Sequence, residues 1–310
     1  MNLLRKIVLF LLAGLVLSLS ACGREAPKVP EETIPVTVSF GAMEKLTKAI
    51  GGDAVSITVM VPDGTEPHDF EPRAEDMVKL SHSRLFVYNG MGMEHWAEKA
   101  IRGAGSPDLI TVDASAHVTP LLLTDEEERE EHGAYDPHTW LGLREAKEEA
   151  RAIRDGLIAA SPKDRDLFMK NYESFAESLD RLQAEYQDRL EKAPRHELVT
   201  GHAAFGYLAR DFGLTQESVE DAFATGEPPA KKLIELIEFC RAHHVKTIFT
   251  EETMDPALAR TLASEAGAQA ETLSTMEESD DESYLQVMEE NLAKLDKAMN
   301  EAERDNCPSI

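Results

Sequence analysis

Three of the ten histidines in this 310-residue chain stand where ligand chemistry would need them. His68 lies in Pro62-Asp-Gly-Thr-Glu-Pro-His-Asp-Phe-Glu-Pro72, His138 in Asp136-Pro-His-Thr-Trp140, and His202 in Val199-Thr-Gly-His-Ala-Ala-Phe205. Imidazole suits zinc, copper, iron and nickel. Any one of these histidines could equally be a loop residue that caps or hydrogen-bonds. Three in matching settings point to a shared cation. A closed zinc site wants four ligands in a tetrahedron. Thr275-Met-Glu-Glu-Ser279 offers the fourth: Glu277 is the first candidate, and Asp280 just beyond it the second. Both also belong to an acidic loop, which is their plain alternative. No His-Glu-x-x-His pair occurs and no nucleophile stands beside a base, so the chain reads as a binder rather than an enzyme such as a zinc hydrolase.

These residues need elements to bring them together. Strand-like runs near 36–40, 55–61, 85–88 and 109–112 alternate with helical stretches at 43–50, 74–81 and 94–102. A second series has strands near 197–200, 217–219, 245–250 and 270–273, with helices at 204–212, 230–243, 257–266 and 284–302. Such alternation implies an α/β fold with parallel sheets. The expected architecture is two similar α/β domains, residues 34–160 and 195–306, each a parallel sheet flanked by helices. His68, His138 and His202 then fall on connections beyond the carboxyl ends of strands, where open α/β sheets bind ligands.

Residues 161–194 join the halves. After Pro162 the stretch to Ala193 has no Gly or Pro, and Phe168, Tyr172, Phe175, Leu179, Leu182, Tyr186 and Leu190 recur every three or four residues. That spacing predicts one long amphipathic helix, roughly 48 Å in length, with Ser161 as its N-cap. A dimerising coiled coil would show the same stripe. Placement between two α/β halves favours a rigid strut in a monomer, which opposes large hinge opening.

The first residues carry a different message. Arg5 and Lys6 precede a short apolar run, Ile7 to Leu19, that ends in Leu19-Ser20-Ala21-Cys22. The run is shorter than the roughly 20 residues of a spanning helix. The pattern is an export signal, 1–21, and its last four residues resemble a bacterial lipobox, which implies lipidation of Cys22. Residues 22–33 then form a polar tether. Removing residues 1–21, which carry two cations and no acid, takes the formal charge from −26 to −28. So acidic a chain is a poor partner for nucleic acid. Three cysteines are too few for a disulfide scaffold, although Cys240 and Cys307 could pair outside the cytoplasm.

Four segments carry a resemblance to a known family: Pro62-x-Gly-x-x-Pro-His68-x-x-Glu-Pro72, Asn89-Gly-Met-Gly-Met-Glu94, Asp136-Pro-His-x-Trp140 and Gly201-His-Ala-Ala-Phe-Gly-Tyr207. Tyr284-x-x-x-Met288 with Asn291-Leu292 adds to them. Together they resemble the zinc-type ZnuA/TroA-like solute-binding lipoproteins of bacterial ABC metal importers, across residues 34–300. The resemblance implies two α/β domains joined by a long helix, with the metal between them. It implies His68, His138 and His202 as ligands and Glu277 as the carboxylate, although the family's Pro-Leu-Glu reads Ser274-Thr-Met-Glu277 here. It implies Zn2+ as cargo, with Mn2+ or iron as alternatives, since manganese sites in the family carry more carboxylate. It implies an ABC permease as partner and a place outside the cytoplasm, on the outer face of the cell membrane or in a periplasm. Some lipoproteins of this family have been labelled surface adhesins. The family's histidine-rich loop is replaced by the acidic residues 125–131 followed by His132, a segment that could attract cations loosely or simply be solvated.

Overall fold

The computed structural model describes residues 33–123, 129, 133–222, 230–252, 254 and 256–301. Cys22 with the signal 1–21, Cys307, and the acidic loop 125–132 apart from Arg129 lie outside the described residues.

The first half opens with β1 (Ile34–Val38), α1 (Gly41–Gly51), β2 (Val55–Val59), α2 (Ala74–Ser81), β3 (Leu85–Tyr88), α3 (Ala97–Ala104) and β4 (Ile110–Asp113). The four strands form one parallel sheet in the order β2-β1-β3-β4. Val36, Val38, Leu85, Phe86 and Val87 are fully buried, as strands covered on both faces require. Then α4 (Leu143–Ala160) buries Leu143, Ala146, Ala150, Ile153 and Leu157 at alternating spacings of three and four. It crosses the sheet closely: a Cβ at Gly156 would stand 2.4 Å from Val112 Cγ2.

The linking helix begins later than its sequence suggests. Residues Pro162–Asp164 form a 3-10 turn, and α5 runs from Arg165 to Glu191, about 40 Å. Ser161 holds the N-cap position of that turn but caps no backbone N–H; its hydroxyl donates instead to Asp164 Oδ2 at 2.6 Å. The predicted stripe is real, since Phe168, Phe175, Leu179, Leu182, Tyr186 and Leu190 are buried. They face α1, α4 and the last helix, so the strut is embedded along its length.

The second half comprises β5 (Glu197–His202), α6 (Gly206–Phe212), β6 (Thr215–Glu220), α7 (Ala230–Ala242), β7 (Thr247–Thr250), α8 (Pro256–Ala266), β8 (Gln269–Thr272) and α9 (Tyr284–Asn300). Its four strands form two parallel ladders, β5-β6 and β7-β8, with β5 lying against β7. At the end of β5 the amides of Gly201 and His202 donate to Oε1 of the Glu251 side chain, at 3.1 and 3.4 Å.

One large core joins both halves. It runs from β1 and β3 through α4 and α5 to Leu198, Phe205 and Phe212, and on to Leu273 and α9. A smaller core, Val199, Val219, Leu236, Cys240, Val245, Ile248, Leu262 and Ala266, fills the far side of the second half. Because Leu179 is 1% exposed at the centre of α5, Leu179→Ala should cost about 2–5 kcal/mol. Denaturant unfolding followed by the fluorescence of Trp96 and Trp140, both in the large core, should show that core lost in a single earlier transition.

Candidate metal centre

Each histidine is set by its own local device. His68 sits inside a 3-10 turn, Pro67–Asp69, whose proline fixes the entry after β2. His138 precedes another 3-10 turn, Thr139–Leu141. His202 is the last residue of β5. All three are buried, at 7%, 0% and 3% exposure.

Their rings converge. Nε2 of His138 lies 3.3 Å from Nε2 of His68 and 3.3 Å from Nε2 of His202. One ring nitrogen from each falls within 4.8 Å of the other two. Among the described residues no other group of three such side chains gathers as closely. A tetrahedral zinc about 2.0–2.1 Å from each nitrogen holds its ligands about 3.3–3.4 Å apart, so two of the spacings already match.

The second shell orients His138. Asp136 Oδ1 accepts both the His138 backbone N–H and its ring Nδ1–H, each at 2.9 Å. That bond leaves the Nε2 lone pair pointing into the cluster, the usual carboxylate–histidine–metal arrangement. His202 is held neutral, its pKa pushed well below the ordinary value, first by burial and then by His138 beside it. A neutral imidazole is what a metal needs.

The motif residues outside the triad hold the loop that carries His138. Asn89 Nδ2 donates to the Pro137 carbonyl at 2.8 Å, and Thr139 Oγ1 donates to Asn89 Oδ1 at 3.1 Å. Glu94 accepts the amides of Asn89 and Gly90, both at 2.9 Å, in the turn that precedes α3. Trp140 Nε1 donates to the Thr275 carbonyl at 2.7 Å, tying this loop to the segment that carries Glu277.

The two carboxylate candidates separate. Asp280 is engaged by Lys45 and by the Glu282 amide, the latter at 2.7 Å. Glu277 is 5% exposed, and neither of its oxygens meets a hydrogen-bond partner among the described residues. Its carboxylate is not part of the 4.8 Å group. Burial, then the nearby Glu66, pushes its pKa well up. Its backbone is tightly placed. Met276 before it adopts a left-handed φ of 58°, and the Glu277 carbonyl accepts the Gly41 amide at 3.0 Å. A Cβ at Gly41 would stand 2.2 Å from the Glu278 carbonyl oxygen, so this crossing requires glycine.

Glu66 is the residue that sequence reasoning passed over. Its Oε1 is buried without a hydrogen-bond partner among the described residues. Burial raises its pKa while nearby His138 draws it down, which puts its charge beside the triad. The available signal was its place two residues before His68 in the same turn.

A cleft of three imidazoles between two α/β halves, spanned by an embedded helix, defines a metal-binding solute receptor. A sequence-family model described as zinc-uptake complex component A, periplasmic (ZnuA), matches residues 36–298, and the chain belongs to that family. A Treponema pallidum (strain Nichols) protein, named for metal binding alone, is 38% identical over 93% of this chain and 94% of its own length. The high-affinity zinc uptake system protein ZnuA of Bacillus subtilis (strain 168) is 33% identical over 93% of the chain and 95% of its own. The zinc-binding lipoprotein AdcA of Streptococcus pneumoniae is 32% identical over 94% of the chain, which spans only 60% of that longer relative. Among solved structures, the laminin-binding protein Lmb of Streptococcus agalactiae, described as bifunctional with adhesin and metal-transporting activity, superposes with a TM-score of 0.78. It is 30% identical and the match covers 86% of this chain and 99% of that one.

Beneath the His138 loop lies a buried acid. Glu149 of α4 is fully buried, and neither oxygen has a hydrogen-bond partner among the described residues. Burial, with Glu145, Glu94 and Asp113 nearby, pushes its pKa up to about 8. A carboxyl whose folded pKa exceeds its unfolded value stabilises fully at low pH, and that contribution drains away as pH climbs to the folded value. The window here runs from the ordinary 4.5 to about 8. Glu149→Gln, which keeps the neutral shape, should therefore gain stability over the wild type progressively from pH 5 to pH 8 on the order of a few kcal/mol. Thermal midpoints across that range check it, and a difference independent of pH would contradict it.

Proposed function

We propose that this chain is an extracytoplasmic receptor that captures Zn2+ and delivers it to an ABC-type membrane permease. The single observation that carries the reading is the pair of 3.3 Å spacings that His138 makes with His68 and His202, buried and backed by Asp136. His68, His138 and His202 supply three imidazoles. Glu277 supplies the carboxylate, its buried oxygens having no hydrogen-bond partner among the described residues. Three nitrogens and one oxygen favour zinc over manganese or iron. Family membership and the zinc-named relatives support the cargo and the permease.

The layout that serves this role has a signal at residues 1–21, a lipid anchor at Cys22 with a tether to residue 33, lobes at 34–160 and 195–306, and the helix at 161–194 between them. More than one acyl chain on the cysteine would anchor the receptor stably beside its permease. The metal rather than a substrate turned over is the ligand, so the protein is a receptor and not an enzyme.

His138→Ala and His202→Ala should each weaken zinc binding by more than about 100-fold, beyond the usual cost of losing an outer-shell partner. Competition against a chromophoric chelator measures this. Wild-type affinity in both variants would refute the ligand assignment, and manganese outcompeting zinc would move the cargo to the family's other branch. The likeness to Lmb favours one second reading, adhesion to laminin. Laminin binding that persists in His138→Ala would establish it as a separate activity.

A further inference from the structure

The helix that follows His202 reaches back to the loop that carries His138. Between them are only Ala203, Ala204 and Phe205 before α6 opens at Gly206-Tyr207. The Tyr207 side chain is fully buried. Its hydroxyl donates to the Asp136 carbonyl at 2.7 Å and accepts the Leu121 amide at 3.1 Å. Leu121 and Asp136 are themselves joined, the Asp136 amide donating to the Leu121 carbonyl at 3.0 Å. One hydroxyl from the second half therefore closes a small ladder in the first.

Gly206 makes an independent contact with the same residue. A Cβ placed there would stand 2.7 Å from Asp136 Oδ2. Oδ1 of that carboxylate is the atom that fixes the His138 ring. Any side chain at 206 would have to push the carboxylate aside. The carbonyl and the carboxylate of Asp136 are thus both gauged by adjacent residues on α6.

We infer that Gly206 and Tyr207 are positioning residues that set His138 through Asp136 and so lock the ligand from one half to the segment bearing the ligand of the other. This inference rests on the zinc-receptor reading above and extends it to residues that touch no metal. The two imidazoles are registered against each other by a path of His202, α6, Tyr207, Asp136 and His138 that bypasses the metal. In the metal-free protein this path keeps the nitrogens near their bound spacing. In the loaded protein, it slows the loop's departure and hence zinc release.

The test uses the full chain without metal, the variants Tyr207→Phe and Gly206→Ala, and Asn171→Ala as a control. Asn171 donates to the Ile50 carbonyl at 2.8 Å, near the end of α1 opposite to the one that meets Glu277. Zinc affinity and zinc dissociation rate are read by chelator competition, ligand geometry by the visible absorption of the Co2+ form, and fold integrity by the metal-free thermal midpoint. Tyr207→Phe should weaken zinc about 10-fold, chiefly through faster dissociation, and should alter the Co2+ bands. Gly206→Ala should do the same by displacing the carboxylate. Asn171→Ala should lower the midpoint with zinc affinity and Co2+ bands unchanged. Wild-type affinity and Co2+ bands in both α6 variants would overturn this inference alone, leaving the zinc reading intact. Loss of affinity in Asn171→Ala equal to that of Tyr207→Phe would overturn it too, by reducing the effect to general stability. A wild-type chain that holds neither metal would overturn the zinc reading, and this inference with it.

Discussion

The hydrogen bond between Asp136 and the ring of His138 is the interaction on which the rest of the cleft depends. It decides which nitrogen of His138 carries the proton, and so which one faces His68 and His202. Were the ring turned over, the central imidazole would present an N–H to its neighbours and the cluster would repel a cation. Much of the surrounding architecture serves that bond. Asn89 and Thr139 hold the loop from the first half, and Trp140 ties it to Thr275 in the segment that carries Glu277. Tyr284 closes it from below, its hydroxyl donating to the Trp140 carbonyl at 2.6 Å. A loop with so many fixed points is pre-organised, which removes the ordering cost that a flexible ligand loop would charge against affinity.

The embedded helix α5 limits how that cleft can change. Hinge motion needs a few residues free to absorb a change of backbone angle. Here the connection is helical from Arg165 to Glu191 and buries a stripe against three other helices. Opening the halves as rigid bodies would shear a core that is continuous across them. Small displacements of side chains and of short connections remain compatible with the packing.

Much of this was legible in the sequence, for reasons that can be named. The strands and helices were read from periodicity, and every strand end lies within two residues of its expected place. His68, His138 and His202 stood out because each lay beyond a strand in a doubled pattern. What failed to show depends on contacts between distant residues. The start of α5 shifted because Ser161 and Asp164 close a tighter turn first. The Glu251 side chain meets the end of β5 across 50 positions of chain. Glu66 was invisible because its meaning lies in the path of its turn. The motif residues Asn89, Trp140 and Tyr207 were visible as a resemblance, yet their work is hydrogen bonding across 48, 135 and 71 positions of chain. No local pattern encodes that.

The presence of two cores of unequal size has a consequence for how the molecule breathes. Segments open locally with free energies that follow the apolar surface they bury. Among the described residues the smaller core holds α7 and α8 with eight buried side chains, while β5 contributes Leu198 to the large core and Val199 to the small one. Amides in α7 and α8 should thus exchange with solvent through a partial opening that leaves the large core intact. Leu273 and Met276, on the approach to Glu277, belong to that large core. The cleft is therefore fastened to the slow-exchanging part of the protein, and fluctuation is confined to a rim that carries none of its donor atoms.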